Sequence, residues 1–494
     1  MVNLAEEILR NADTRPEHIA MWSGGNSLSY RELREEVFRT RAVLTGLGAG
    51  EGSVLGFGMR DTRQVTIAML AAWHMGATCN LLDFRLKDED LQAAVKMFKH
   101  TLIVTDRPAN LPDGIGMIAQ DWTARLAASA PTPAPAANPR APAMAAVTSG
   151  TTGTPAGFET THEALFARSN SWEGSRISEA YEHYLCMSPI AFGATFGWIT
   201  NVLRAGGTIT CFPPVARPSD VFDVVARQGI TGTMMVPTVL RDLIAHARQT
   251  GRRLRNERGP IWLVTTGAAI TEQELRDVHD LLSPRIIQIY AASPVGPICT
   301  MFTEEMDERM KTVGTPARGV IVEIVDENGR AQPQGTIGRI RVLTPGRATN
   351  MRGRDGNSGG DHFDGDWYYP GDLGVFDGSG YLTLAGRATE VIIRGGVNVY
   401  PQEIEATVLT FAGVREAAAV GFPDKRAGEE IAVFAVTEDG ITAESLLAQC
   451  RTAFPADKRP SRAVIVSSMP LNANGKIVRG RLRRQLMEAR ADAK

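Results

Sequence analysis

No charge of either sign dominates this chain. Its 53 lysines and arginines stand against 55 aspartates and glutamates, a formal net charge of −2 over 494 residues. That balance removes the electrostatic basis for nucleic acid or an anionic membrane as a main partner. Cysteine is scarce and scattered. The five thiols (Cys79, Cys186, Cys211, Cys299 and Cys450) form no CxxC pair and stand at no ligand-like spacing from a histidine. This argues against a disulfide framework or a zinc site and for reduced thiols in a cytoplasm. A long apolar run is also missing. The most apolar segment, Val65 to Thr78, is too short to span a bilayer and carries His74, so it predicts a buried helix. The opening residues, MVNLAEEILRNADTRPEH, are acidic and amphipathic, without the basic-then-apolar order of a secretory leader. No internal repeat is visible.

What is present is ordinary globular material, 43% hydrophobic and 22% charged. The length exceeds what one core usually serves, so two or more domains are expected. Residues 27–106 alternate short apolar β runs (SLSY, VLGFGM, TCNLL, TLIVTD) with helical patterns (RELREEVFRTRAVLTGLG, LKDEDLQAAVKMF). That alternation predicts an α/β domain with a largely parallel sheet. Residues 128–145 are rich in Pro and Ala and read as a surface connection. From about 315 to 385 short β runs with Gly turns predict a β-rich subdomain, with hairpins at ENG and DGSG. A further α/β unit follows over residues 390–494.

The segment TSGTTGTPAGF at 148–158 packs hydroxyls and glycines into one loop after a β run. Small residues let the backbone approach a polyphosphate, and Thr148, Ser149, Thr151 and Thr152 offer hydroxyl and amide donors, with Gly150 and Gly153 between them. The loop lacks the GK(S/T) ending of a Walker A motif. By composition alone it also fits a flexible linker.

This loop is similar to the phosphate-loop signature of the adenylate-forming superfamily, which includes acyl- and aryl-CoA synthetases. Other segments resemble that family's motifs in the same order: TTGAAI at 265–270, YAASPVG at 290–296, WYYPGDLG at 367–374, GRATEVIIRGGVNVYPQEIE at 386–405 and PLNANGKIVRGRLR at 470–483. The resemblance covers nearly the whole chain. It implies an α/β fold: a large multi-layer N-terminal domain with a β subdomain (1–389) and a small mobile C-terminal α/β lid (390–494), hinged near Glu390. It implies ATP, Mg²⁺ and coenzyme A as cofactors, with a carboxylic acid activated to an acyl-adenylate and passed to the thiol. Lys476 would be the catalytic cation. Asp372 and Arg387 would hold the ribose, Tyr290 would stack on adenine, and Gly267, Ala268, Ala291 and Ser293 would complete the nucleotide site. Gly395 and Gly396 would face the pantetheine arm. Each residue also has a plain reading: Asp372 as a turn residue, Arg387 in a surface ion pair, Tyr290 in the core, Lys476 as solvated surface.

The pattern breaks in several places. The usual PKG becomes Pro155-Ala156-Gly157, and the usual Y-G-x-T-E becomes Tyr290-Ala291-Ala292-Ser293-Pro294, with proline where an acidic Mg²⁺ ligand is expected. Proline cannot coordinate a hard cation, which leaves Thr151 as the expected protein ligand. Ala191-Phe192 replaces an aromatic-histidine pair, and Pro370 replaces a threonine before the ribose Gly-Asp. The expected acid lining (Phe192, Thr195, Ala268, Ala291, Ala292, Pro294, Val295) is mainly apolar and holds no acidic residue for an α-ammonium. A small or medium aliphatic or aromatic acid is expected. Transfer to a carrier-protein thiol or an amine, and a degenerate nucleotide-binding paralogue, stay open as alternatives, as does a homo-oligomer.

Overall fold

A computed structural model describes residues 3–139, 141–147, 157–171, 176–213, 216–268, 270–302, 309–352, 362–471 and 477–491. Two early helices form where the apolar patterns predict. Ser29 and Glu32 make a capping box for the helix Tyr30–Gly46, which buries Leu33, Val37, Val43 and Leu44. Asp61 caps the helix Thr62–His74, whose residues from Val65 onward are all buried. The apolar segment that could not span a bilayer is thus a core helix. No helix among the described residues is long and apolar enough to cross a membrane.

Short strands with no exposed face, such as Thr78–Leu81, Leu102–Thr105, Gly232–Met235 and Trp262–Thr265, can only sit inside a sheet covered on both sides. They do so in two large sheets. In one, Val54–Gly58 pairs in parallel with Thr78–Leu81 and Leu102–Thr105, and Pro142–Val147 joins the far side of Thr78–Leu81. In the other, Ile19–Ser23, Thr208–Cys211, His183–Cys186, Gly232–Met235, Trp262–Thr265 and Arg285–Ala292 run parallel in that spatial order. One continuous apolar cluster fills the space around both sheets, from Leu4 and Met21 through Trp73 to Ile199 and Ile289.

The β-rich subdomain is present, with one difference. The DGSG turn closes the hairpin of Asp372–Phe376 with Leu382–Arg387. The ENG turn closes only an isolated bridge between Val325 and Ala331, and Ile321–Val325 pairs instead with Gly338–Leu343. A Gly turn fixes local chain reversal, but the register went to the longer apolar run.

The small C-terminal unit is built on the hairpin of Val414–Asp424 with Gly428–Thr437. Its side chains divide by the two-residue period of a strand. Ala417, Ala419, Ile431 and Val433 pack with Ile404, Leu446 and Cys450, while Ala418, Val420, Phe422 and Phe434 pack with Leu482 and Leu486. Helices therefore cover both faces. The whole is mixed α/β, a large N-terminal region followed by a small C-terminal one.

Candidate active site

Three parallel strands of the larger sheet end side by side, with Met235 beside Thr265 and Thr265 beside Gln288. Ligands of parallel α/β sheets bind at such carboxyl ends. The chain leaving them brings several of the expected residues together. Gly267 has φ +91°, and a Cβ there would lie 3.2 Å from Phe192 Cζ and 3.9 Å from Val236 Cγ1. Glycine is required by both the backbone angle and the space. Phe192 is the N-cap residue of the helix Gly193–Arg204, and a Cβ on Gly193 would lie 4.0 Å from Ser293 Oγ. Phe192, Gly267 and Ser293 thus meet beside the strand ends. Ala268 and Ala292 are half-buried, and Ala291 is exposed. Three expected lining residues, Pro294, Thr195 and Val295, are buried. Thr195 is fully buried and Val295 is 1% exposed, packed with Tyr290 and Ile298 in an apolar cluster. These two face the core, because the helix turn and the bulge at Ala291 direct them inward.

Tyr290, Asp372 and Arg387 form one assembly. Tyr290 Oη donates to Asp372 Oδ2 at 2.6 Å, and Arg387 Nε meets Asp372 Oδ1 at 2.9 Å. Arg387 Nη1 also donates to the Pro370 carbonyl at 2.6 Å. Asp372 and Arg387 face each other in the strand register, so the hairpin itself sets the ion pair. Burial and the neighbouring Asp372 carboxylate push the Tyr290 phenol well above its ordinary pKa. It stays a donor to the carboxylate, whose two oxygens are acceptors only. That suits a ribose. The Tyr290–Asp372 bond spans 82 positions and had no signal in the sequence.

A second feature also went unread. Arg168, in the last turn of the helix His162–Asn170, donates from Nε to Gly346 O at 2.7 Å, from Nη1 to Ser293 O at 3.2 Å and from Nη2 to Pro294 O at 2.9 Å. Its stem passes where Cβ atoms on Gly296 or Gly346 would stand, 2.8 and 2.7 Å away. Burial lowers its pKa to about 10, so it remains a cation at neutral pH. Pro294 O accepts a further bond from Ala348 N at 2.6 Å. The segment that departs most from the family pattern is therefore fastened through its carbonyls.

The phosphate-loop residues Thr148, Ser149, Gly150, Thr151, Thr152 and Gly153, and Lys476, lie outside the described residues. Their flanks do not. Val147 is registered against Gly157 in an antiparallel pair, and a Cβ on Gly157 would stand 2.6 Å from Phe98 Cζ. Leu471 bridges Ile477, and Val478 N donates to Pro470 O at 2.8 Å. Both loops thus spring from stapled stems. Among the described residues no group of three His, Cys, Asp or Glu could hold a metal ion, and Pro294 offers no side-chain ligand. The described side chains do not fit a resident Mg²⁺. Gly395 and Gly396, at φ +60° and +85°, make the tight turn between Ile392–Arg394 and Val397–Val399, as a two-residue hairpin demands. Both are exposed, flanked by Ile393 (55% exposed) and Val397 (37%). Glu390 ends a short 3-10 turn after Arg387 and meets Arg479 Nη1 at 3.2 Å.

Comparison with known proteins adds a family. Residues 8–353 match the model of the AMP-binding enzymes, and residues 403–476 match that of the AMP-binding enzyme C-terminal domain. Similar curated proteins include the fatty acid–[acyl-carrier-protein] ligase ScoC of Streptomyces coeruleorubidus, 26% identical, with 96% of this chain and 94% of that protein covered. Another is the indoleacetate–CoA ligase of Aromatoleum aromaticum, 28% identical, with 96% of each covered. Among solved structures, that of ATP-bound MatB from Rhodopseudomonas palustris superposes with a TM-score of 0.86 at 23% identity, covering 98% of both chains.

Proposed function

The chain belongs to the AMP-binding enzyme family, and on that premise we propose that it is an acid–CoA ligase built on a recess at the strand ends and the Tyr290–Asp372–Arg387 assembly. A carboxylate oxygen of the acid attacks the α-phosphorus of ATP, and the bond to pyrophosphate breaks. The coenzyme A thiol then loses its proton and attacks the acyl carbon, and AMP leaves with the bonding pair. Asp372 accepts the ribose hydroxyls while Arg387 and Tyr290 keep it oriented. The observation that carries this reading is that carboxylate, fixed by two donors beside the carboxyl end of the strand Arg285–Ala292. The loop at 148–153 would take the phosphates. Mg²⁺ would arrive mainly on the ATP oxygens, with Thr151 its expected protein contact. Residues 1–389 act as the body and 390–494 as a lid turning near Glu390, and the Gly395-Gly396 turn faces the thiol arm.

The acid is a neutral-chain monocarboxylate, aliphatic or aromatic. Phe192, Gly267, Ala268, Ala291 and Ala292 offer it apolar contact, and no side-chain carboxylate among them would receive an ammonium. The free cysteines, four of them buried, suit a reducing cytoplasm.

Lys476 supplies positive charge to the adenylation transition state. Lys476→Ala should slow pyrophosphate release on the order of 10²–10³-fold, the usual loss for one such donor, while preformed acyl-adenylate still reacts with coenzyme A. Stopped-flow measurement of each half-reaction decides it, and equal loss in both would refute the assignment. A panel of acids assayed for pyrophosphate release tests the pocket. A clear preference for malonate or an α-amino acid would overturn it.

A further inference from the structure

A cavity of about 530 Å³ shares no lining residue with the strand-end site. The helices Tyr30–Gly46, Thr62–His74 and Ala119–Ala128 enclose it, together with the turn after the strand Ile19–Ser23. Its volume suits a small organic molecule. Part of the lining is apolar, with Ile67 and Trp122 at 8% and 1% exposure and Leu126 half-buried. The rest is polar and incompletely paired. Thr40 is 1% exposed, and its hydroxyl finds no partner among the described residues. A buried hydroxyl in that state is rare enough to need a cause.

The charges decide which ligand fits. Three carboxylates stand near, and each is already engaged. Glu32 accepts from Ser29 N and Oγ in the capping box of its helix. Asp61 accepts from Arg63 N and Gln64 N at the head of the next helix. Both acids also lie at helix N-termini, whose partial positive charge answers them. Glu36 meets Arg39 Nε at 3.3 Å. The guanidinium of Arg63, half-buried in the lining, forms no ion pair among the described residues. The unanswered charge is therefore positive, and it stands in a cavity with an apolar wall.

We propose that this cavity is a second binding site, for a monocarboxylate with an apolar body. The carboxylate pairs with Arg63 and accepts from the Thr40 hydroxyl, while the body lies against Ile67, Trp122 and Leu126. An amine finds no uncommitted acid there, and inorganic phosphate would leave the apolar wall uncovered.

Trp122 makes the site observable. In full-length protein carrying 5-fluorotryptophan, the Trp122 resonance is assigned by its loss in Trp122→Phe. Octanoate should shift that resonance saturably, and octylamine should not. Arg63→Gln should weaken octanoate about tenfold, as for loss of one charge-assisted contact. Thr40→Val should weaken it about threefold, without lowering the thermal midpoint of the free protein, because the hydroxyl gives up no bond there. An unmoved Trp122 resonance, an equal response to octylamine, or unchanged affinity in Arg63→Gln would overturn the proposal. So would a lowered midpoint in Thr40→Val, which would reveal an internal partner for the hydroxyl. Pyrophosphate release driven by octanoate reads the strand-end site separately, and Arg63→Gln should leave it unchanged. Parallel loss of that rate and of the Trp122 response would mean a single site and would also overturn the proposal.

Discussion

Among the described residues Arg168 is a cation answered by carbonyls, and that has energetic consequences. Its three acceptors belong to Ser293, Pro294 and Gly346, so one side chain fastens the recess wall to the subdomain behind it. Arg168→Met would keep the stem between Gly296 and Gly346 but remove the donor. Pro294 O keeps its bond from Ala348 N and Ser293 is exposed enough to be rehydrated, so the buried Gly346 O is the acceptor stranded. A loss of about 1–3 kcal/mol is expected, read as a fall in urea midpoint. The KM for the acid should rise more than that for ATP, because Ser293 borders the acid recess while Asp372 is held independently. A variant of unchanged stability, or one that loses ATP and acid affinity alike, would contradict this account.

Among the secondary-structure elements, the pair of Pro142–Val147 with Gly157–Thr161 flanks the residues proposed to take the phosphates. Gly157 lies against Met97 and Phe98 of the helix Asp88–Phe98. Gly157→Ala should push the strand off that helix, at about 1–3 kcal/mol for an overpacked contact, and weaken ATP binding. Met97→Ala in the same chain should recover most of both losses, whereas additive losses would mean the contact is not the cause. Much at this scale was legible beforehand. The apolar periodicity of RELREEVFRTRAVLTGLG announced a helix, and short apolar β runs alternating with helical patterns announced a largely parallel sheet. The glycines at 267, 395 and 396 announced turns that only they could make. What stayed hidden needed a partner far along the chain. Tyr290 with Asp372, Arg168 with Ser293 and Arg479 with Glu405 are meetings set by tertiary packing, which no local window contains. The ENG turn misled for the same reason: a turn motif reverses the chain but does not choose which strand pairs next. Thr195 and Val295 were placed on the recess by sequence neighbourhood, though side-chain direction put them behind it.

Taken whole, the molecule keeps several histidines away from water. Burial lowers the pKa of His74, His100, His162 and His183 to about 4, from an ordinary 6.5. His162 is 1% exposed, and neither ring nitrogen has a hydrogen-bond partner among the described residues. Between pH 6.5 and 4 the unfolded chain binds protons that the folded one refuses, so stability is full above this window and falls as pH drops through it. Thermal midpoints measured from pH 7.5 to 4.5 should decline, and His162→Phe, packed edge-on to Trp73 as the imidazole is, should decline less steeply. Identical slopes would dismiss His162 as a contributor. The order of strands in the larger sheet has a further consequence, for synthesis. Met21 pairs with Ile209, and Asn11 Nδ2 donates to Leu203 O at 2.9 Å, so the earliest part of the polypeptide waits for some of the middle. The strands from Val54 to Thr105 can pair while the ribosome is still translating; Ile19–Ser23 cannot, and its fully buried Ala20 and Met21 stay uncovered until Thr208–Cys211 emerges. Long-range pairing of this kind is slow and exposes apolar strand in the meantime. The strand Ile19–Ser23 is therefore the one whose apolar residues wait longest for a parallel neighbour.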